Sequence, residues 1–445
     1  MNNKRVEHII NEIIDQYCYA DTSEKPWIIG FSGGKDSTVL LTLVWEALLR
    51  IRQFPMPFQL RRPVYVVCNN TLVENPIIVE YADRVLNKVS QAAREQDLPI
   101  FVRKTIPRLE DSFWVNIIGK GYPVPNNAFR WCTDKLKIKP TSRFIAEQVV
   151  ENGEAIILLG TRSAESASRA RSIKKHEIRG KRLTKHPIQT NTFVYAPIRH
   201  LYLEEVWGVI NSNPSPWGAD NSELFKIYSD ASADDYECPT LVTNKDHSSC
   251  GQSRFGCWTC TVVKEDKSMT ALIKNGFDWL QPLLSLRDSL DAERNDVEIR
   301  MPTRRDGTKA VNDMGTYQPN YRSSILRRVL ETQKQIQQTK PQVELITNQE
   351  LIAIQVIWSR DLFFEKKVSQ IYNEIFNIKL DMKDKAERQE KEHKLLLEAC
   401  NNDEGEFNLI HDLLQLQKSK TLMIRKRGLQ ADIENRLERF IKDQN

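Results

Sequence analysis

No apolar run in the 445-residue chain approaches the roughly 18 residues that a membrane-crossing helix needs, so no membrane partner is expected. Charge of one sign is scarce too. The 64 basic residues stand against 59 acidic ones, and a net charge of +5 does not by itself mark a nucleic-acid binder. No internal repeat is present, which leaves out a repeat array. The start, Met1-Asn2-Asn3-Lys4-Arg5, leads into a polar amphipathic pattern and not into a signal-peptide core. A cytoplasmic protein is therefore expected, and in that reducing compartment its eight cysteines are not expected to pair as disulfides. What remains is an ordinary soluble globular composition, 40% apolar and 28% charged, with a length that asks for two or three domains.

Apolar patterning supplies the architecture. Val6–Tyr19 carries Ile9, Ile10, Ile13, Ile14 and Tyr17 on one helical face. Trp27–Phe31, Pro63–Cys68, Ile100–Lys104, Ala155–Gly160 and Phe193–Pro197 are short apolar runs that read as buried strands. Helices are expected between them at Thr38–Arg52, Pro76–Arg94 and Lys135–Val150, and after them near Leu203–Ile210. Strands apolar throughout and alternating with helices predict an α/β fold, a doubly wound parallel sheet covered on both faces. Ligands gather at the carboxyl ends of such strands. Three informative stretches, Ser32–Ser37, Asn69–Glu74 and Thr161–Arg171, follow expected strands and should converge on one pocket. The expected division is 1–225 for this core, 226–340 for a cysteine-bearing and basic segment, and 341–445 for a helical region.

Ser32-Gly33-Gly34-Lys35-Asp36-Ser37 lies between an apolar strand and an apolar helix. Its glycines allow backbone conformations that turn amide N–H groups toward an anion. The following helix adds its positive end, the hydroxyls of Ser32 and Ser37 can donate to phosphate oxygens, and Lys35 supplies a charge. A Walker A loop is excluded, because four residues between its first glycine and its Gly-Lys pair are missing. The hexapeptide resembles the PP-loop of the adenine-nucleotide α-hydrolase superfamily, which implies ATP, with Mg²⁺, cut to AMP and pyrophosphate.

Further motifs narrow the resemblance. Arg130-Trp131-Cys132-Thr133, then Leu136-Lys137-Ile138-Lys139-Pro140, then Gly160-Thr161-Arg162-Ser163-Ala164-Glu165-Ser166 with Arg169, are similar to the phosphoadenosine phosphosulfate reductase family from about Trp27 to Pro197. Arg162 and Arg169 are candidate anion binders; pairing with carboxylates is the plainer alternative. Where that family commonly has an acidic residue followed by Thr or Ser after the second strand, this chain has Asn69-Asn70-Thr71, with Glu74 beyond. Cys132, between Arg130 and Lys135, reads either as an activated thiolate able to carry a persulfide or as a small buried residue.

Cys238, Cys250, Cys257 and Cys260, spaced C-x11-C-x6-C-x2-C, form a metal-ligating set. Spacing alone leans to tetrahedral zinc over a four-iron cluster. This cysteine set, together with Gly315-Thr316-Tyr317, Tyr321-Arg322 and Leu326-Arg327-Arg328, resembles the DndC family of DNA phosphorothioation sulfurtransferases, with the Ssp-type counterpart close behind. That resemblance implies a [4Fe–4S] cluster on the four cysteines and sulfur placed on a DNA backbone phosphate activated by adenylylation. It also implies a cysteine desulfurase as sulfur donor, together with the other subunits of the phosphorothioation system. Basic residues crowd into Arg162–Lys185 and Arg300–Lys340, where they either follow a phosphate backbone or coat a solvated surface. Three rival readings are assimilatory reduction of adenylylated sulfate, tRNA thiolation, and a DNA-binding assembly subunit that uses ATP and its cluster as sensors.

Overall fold

In the computed structural model of the chain, the residues described are 4–19, 24–54, 60–178, 180–212, 214–231, 256–361, 363, 365–378 and 393–421. They divide at Ala353/Ile354 into two compact units.

The first unit is organised by strand β1 (Trp27–Gly30), whose four residues are all buried. It pairs in parallel with β2 (Val64–Asn69) on one side and with β4 (Ala155–Leu158) on the other, Trp27 sitting opposite Val64 and Ile156. Strand β3 (Ile100–Thr105) extends the sheet beyond β2, and β6 (Thr192–Tyr195) extends it beyond β4. The order is β3-β2-β1-β4-β6-β5, with the three-residue β5 (Leu183–Lys185) antiparallel at the edge. The parallel sheet expected from the apolar runs is present. The short antiparallel β5 is an addition that a three-residue, half-buried segment did not signal.

Both faces are covered because successive side chains point to opposite sides of the strands. Ile28, Val67, Ile157 and Val194 pack with Ile145 of helix α4 (Lys139–Asn152). Trp27 faces the other way and meets Tyr17 of helix α1 (Lys4–Cys18) edge-on at 5.2 Å. The remaining crossovers are α2 (Lys35–Arg52) and α3 (Pro76–Glu95), the latter opened by Asn75, whose side chain accepts from the Ile77 amide. Helix α5 (Ala167–His176) was not expected, since its sequence Ala-Ser-Arg-Ala-Arg-Ser-Ile-Lys-Lys-His has no apolar face; the Ser166 side chain caps it. Helices α6 (Leu203–Ser212) and α7 (Asn221–Ala231) follow β6. The turn from β1 to α2 lies where the chain first places one strand on each side of β1, the switch point at which such sheets bind ligands.

The rest of this unit comprises α8 (Lys267–Lys274), α9 (Gln281–Glu293), α10 (Pro319–Gln337) and the start of α11 (Asn348–Arg360). It is built onto the sheet domain through main-chain carbonyls. Arg322 donates to Ile118 O and Gly119 O, and the Trp114 indole donates to Leu345 O at 2.7 Å. The described part of the second unit is helical, with α12 (Val368–Phe376) and a last helix over Glu404–Thr421. Among the described residues no helix is long and apolar enough to cross a membrane.

Candidate functional site

The loop Ser32–Ser37 leaves β1 at its carboxyl end and opens α2. Gly33 takes φ +78°, a conformation that favours glycine. Gly34 caps α2 without a side chain, so the first amides of the helix have no intrahelical acceptor. The loop hydroxyls are tied within the loop. Ser37 Oγ donates to Gly34 O at 2.9 Å, and the Ser32 and Ser37 hydroxyls lie 3.2 Å apart. Gly160, just past β4, is packed against this turn, since a Cβ there would stand 3.0 Å from the carbonyl of Asp36. The ends of β1 and β4 are thus locked together.

Three charges are buried in the turn. Lys35, Asp36 and Arg162 expose 0%, 5% and 2% of their surface. Asp36 accepts from Arg162 Nε at 2.5 Å and lies 3.4 Å from Lys35 Nζ. Arg162 also reaches Leu201 O at 3.4 Å, and its amide donates to Glu165. The expected anion binder is therefore, in this structure, the partner of the loop carboxylate. Arg169, at the start of α5, lies 3.5 Å from Glu165. Carboxylate pairing, the plainer of the two readings, describes both arginines as they stand.

A residue that the sequence did not single out caps the loop. Tyr228 of α7 accepts from the Lys35 amide at 3.3 Å, and Lys35 Nζ lies 5.2 Å from the centre of its ring. The two residues are 193 positions apart, and no local pattern links them.

The loop after β2 brings together a second group. Thr71 Oγ1 lies 3.3 Å from Cys257 Sγ, and Glu74 pairs with Cys257 in an isolated antiparallel bridge, with the Trp258 amide donating to Val73 O at 3.0 Å. Burial pushes the Glu74 carboxyl up to about 7 against the opposing pull of Lys137, and burial pushes the Cys257 thiol up to about 11. Asn69 donates to Leu136 O at 3.0 Å, tying this loop to the segment that carries Cys132 and Lys137. Cys132 is half-buried ahead of a π-helical stretch, Thr133–Ile138. The cations flanking it in sequence are engaged elsewhere, Lys135 with Asp111 at 2.6 Å and Arg130 with Asn127 at 2.5 Å.

The chain matches the phosphoadenosine phosphosulfate reductase domain over residues 26–263. It belongs to that family. An uncharacterized protein of Methanocaldococcus jannaschii is 27% identical over 199 residues, which make up 44% of this chain and 33% of that relative. The chain thus spans about a third of the curated relative it matches. Among solved structures, a phosphoadenylyl-sulfate reductase from Candida auris, in complex with phosphate, is similar over 51% of this chain and 92% of its own, with 13% identity and a TM-score of 0.30. An FMN adenylyltransferase from Candida glabrata, in complex with FAD and inorganic pyrophosphate, is similar over 47% and 59%, with 12% identity and a TM-score of 0.28. Similarity at that level assigns no chemistry to the chain.

Within this reductase-family chain, two of the four expected metal ligands are described. Cys257 and Cys260 lie on one tight turn closed by the Cys260 amide donating to Cys257 O at 3.0 Å, and Arg287 donates to Cys260 O at 2.9 Å. Two thiols on one such turn suit a shared metal centre. Cys238 and Cys250 lie outside the described residues.

The basic stretch Arg300–Lys340, read as following a phosphate backbone or coating a solvated surface, needs correction at its buried arginines. Arg300 and Arg322 are buried, and each donates to main-chain carbonyls, Arg300 to Gly315 O, Met314 O and Arg294 O. Arg328 is held by Glu293 at 3.0 Å. Arg304, Arg305 and Lys309 are exposed on a turn closed by a Thr303–Lys309 bridge.

Proposed function

We propose that the protein cleaves ATP between its α and β phosphates and uses the adenylyl group to activate a DNA backbone phosphate for sulfur incorporation. The observation that carries this reading is the loop Ser32–Ser37. It lacks Walker spacing, lies at the switch point of a parallel sheet, and places helix amides beside the buried cations Lys35 and Arg162. Mg²⁺ enters as part of the nucleotide substrate.

The need for ATP follows from leaving-group chemistry. An oxygen of a phosphodiester does not depart unaided. Attack of that oxygen on the α-phosphorus expels pyrophosphate and leaves an adenylylated phosphate, from which AMP departs when sulfide attacks the DNA phosphorus. A cysteine desulfurase supplies the sulfur. If it arrives as a persulfide, a second thiol provides the two electrons that release sulfide; Cys132 is the candidate carrier. Lys35 and Arg162 offset charge on the leaving pyrophosphate. Arg169 is the candidate for a second anion contact. Cys257 and Cys260, with Cys238 and Cys250, would hold a [4Fe–4S] cluster, zinc being the alternative. When bound, the cluster supplies one-electron transfer or a structural tie.

The test is product analysis. Full-length protein given ATP, DNA, a desulfurase and cysteine should yield AMP and pyrophosphate in step with phosphorothioate. ADP and phosphate would refute the reading. Family membership itself favours a second reading, reduction of adenylylated sulfate, for which sulfite released from that substrate in place of DNA is the mark.

A further inference from the structure

We infer that Tyr228 is a gate on the nucleotide site: its ring and hydroxyl occupy the phosphate-binding groups of Lys35, and nucleotide enters by displacing the side chain. This rests on the reading of Ser32–Ser37 as a phosphate loop and adds to it the residue that controls access.

Lys35 offers a phosphate two groups, its amide at the first position of α2 and its ammonium. In this structure one side chain meets both, the ammonium also lying 3.4 Å from the Asp36 carboxylate. The amide donates to the Tyr228 hydroxyl at 3.3 Å, and the ring lies 5.2 Å from the ammonium. Lys35 is wholly covered, and Tyr228 itself is 6% exposed. A single N–H cannot serve the phenol oxygen and a phosphate oxygen at full strength, and a phosphate cannot reach the ammonium through the ring. Contacts made only without ligand oppose ligand binding by their own free energy.

Helix α7 does not have to move. The Asn221 side chain holds its first turn to Ile210 O at 2.8 Å, and Asn275 donates to Asp230 O near its end. Displacement therefore falls to rotation of the Tyr228 side chain. Trp207 of α6 is placed to report that rotation, its ring meeting Tyr228 edge-on at 5.4 Å and 84°.

The experiment titrates the full-length protein with Mg²⁺ and α,β-methylene-ATP, whose α–β link is not cleaved, by calorimetry and by tryptophan emission. A neutral hydrogen bond alters an equilibrium by about two- to tenfold, and the long 3.3 Å contact points to the lower end. Tyr228→Phe should bind the analogue about two- to threefold more tightly than wild type. Tyr228→Leu, which also removes the ring over the ammonium, should bind more tightly still. Emission should change with saturation in wild type and not in Trp207→Phe. Weaker or equal binding by both Tyr228 variants, or saturable binding with no Trp207-dependent emission change, would overturn the gate while leaving the nucleotide site standing. Absence of binding to wild type and both variants would overturn the gate and the nucleotide reading together.

Discussion

Removing the Asp36 carboxylate should harm the unliganded protein more than removing Arg162, although the two form one ion pair. Lys35 and Arg162 carry one positive charge each and Asp36 one negative, so the buried triad has a net charge of +1. Asp36→Ala leaves two buried cations and +2. Arg162→Ala leaves Lys35 and Asp36, 3.4 Å apart and neutral overall. Exposures of 0%, 5% and 2% place the triad in the buried regime, where an orphaned charge costs about 3–5 kcal/mol, and not among surface pairs worth about 0–1 kcal/mol. Asp36→Ala is expected to approach that cost. For Arg162→Ala the expected cost is about 1–3 kcal/mol, that of leaving buried acceptors without their hydrogen bonds, while Asp36 keeps its ion pair with Lys35. Pyrophosphate brings the missing negative charge, so it should raise the unfolding temperature of Asp36→Ala by more than that of wild type. The assay is the apparent midpoint by tryptophan emission, with and without pyrophosphate. It is used as a ranking, because a chain of two compact units does not melt as one. Earlier melting of Arg162→Ala than of Asp36→Ala, or equal pyrophosphate shifts, would refute the charge arithmetic.

Gly160→Ala should lower ATP turnover by about tenfold or more, since its Cβ would press the Asp36 carbonyl at 3.0 Å and displacements well under 1 Å matter at a reacting centre; Gly208→Ala, with nothing within 4 Å, is the control. His186 Nδ1 accepts from the amides of Ile188 at 3.2 Å and Gln189 at 2.9 Å, a role open only to the neutral ring, and burial holds its pKa below the usual 6.5. A depressed folded-state value means that this stabilisation is present above pH 6.5 and is lost as pH falls through the folded value. The ring should titrate by NMR below 6.5, and a midpoint at or above 6.5 would contradict the arrangement. Arg322→Ala should destabilise the fold by about 1–3 kcal/mol through its orphaned carbonyl partners without altering the salt slope of DNA binding. Replacing Arg304, Arg305 and Lys309 together by Ala should flatten that slope by about 0.9 for each phosphate no longer neutralised, as measured with the partner subunits present.

Most of the sheet was legible because each parallel strand is an apolar run stopped by polar or glycine residues. Val64–Asn69 and Ala155–Leu158 fall within two residues of expectation at either end. Elements held by capping or edge pairing were not legible. Helix α5 depends on the Ser166 cap, and β5 on its ladder to Val194. The phosphate loop was readable for the same reason as the strands, as six contiguous residues whose chemistry is local. Its cover was not, for Tyr228 sits in a helix whose sequence gives no sign of Lys35. Glu74 stood out in the sequence only as a carboxylate displaced from its usual place; the bridge to Cys257 gives that position a physical setting beside the cysteine turn.

The misread arginines have a common cause. Lys and Arg are mostly exposed in proteins, so a dense run of them reads as surface. Residues 294–318 contain no α-helix or multi-residue strand, and a chain in that state has carbonyls without ladder partners. Arginine's planar fork can satisfy several at once. Arg300 does so for residues 294, 314 and 315, with its guanidinium 5.0 Å from the Tyr317 ring centre. Arg287 does the same after the cysteine turn, donating to Cys260 O, Val263 O and Lys264 O. Where a basic run coincides with a lack of regular structure, each arginine has to be weighed first as a brace for the backbone. By that measure, among the arginines considered for DNA contact, Arg300 and Arg322 are bound to the fold and Arg328 to Glu293. Arg304, Arg305 and Lys309 are exposed on their turn, and DNA contact on this side of the first unit is expected to begin there.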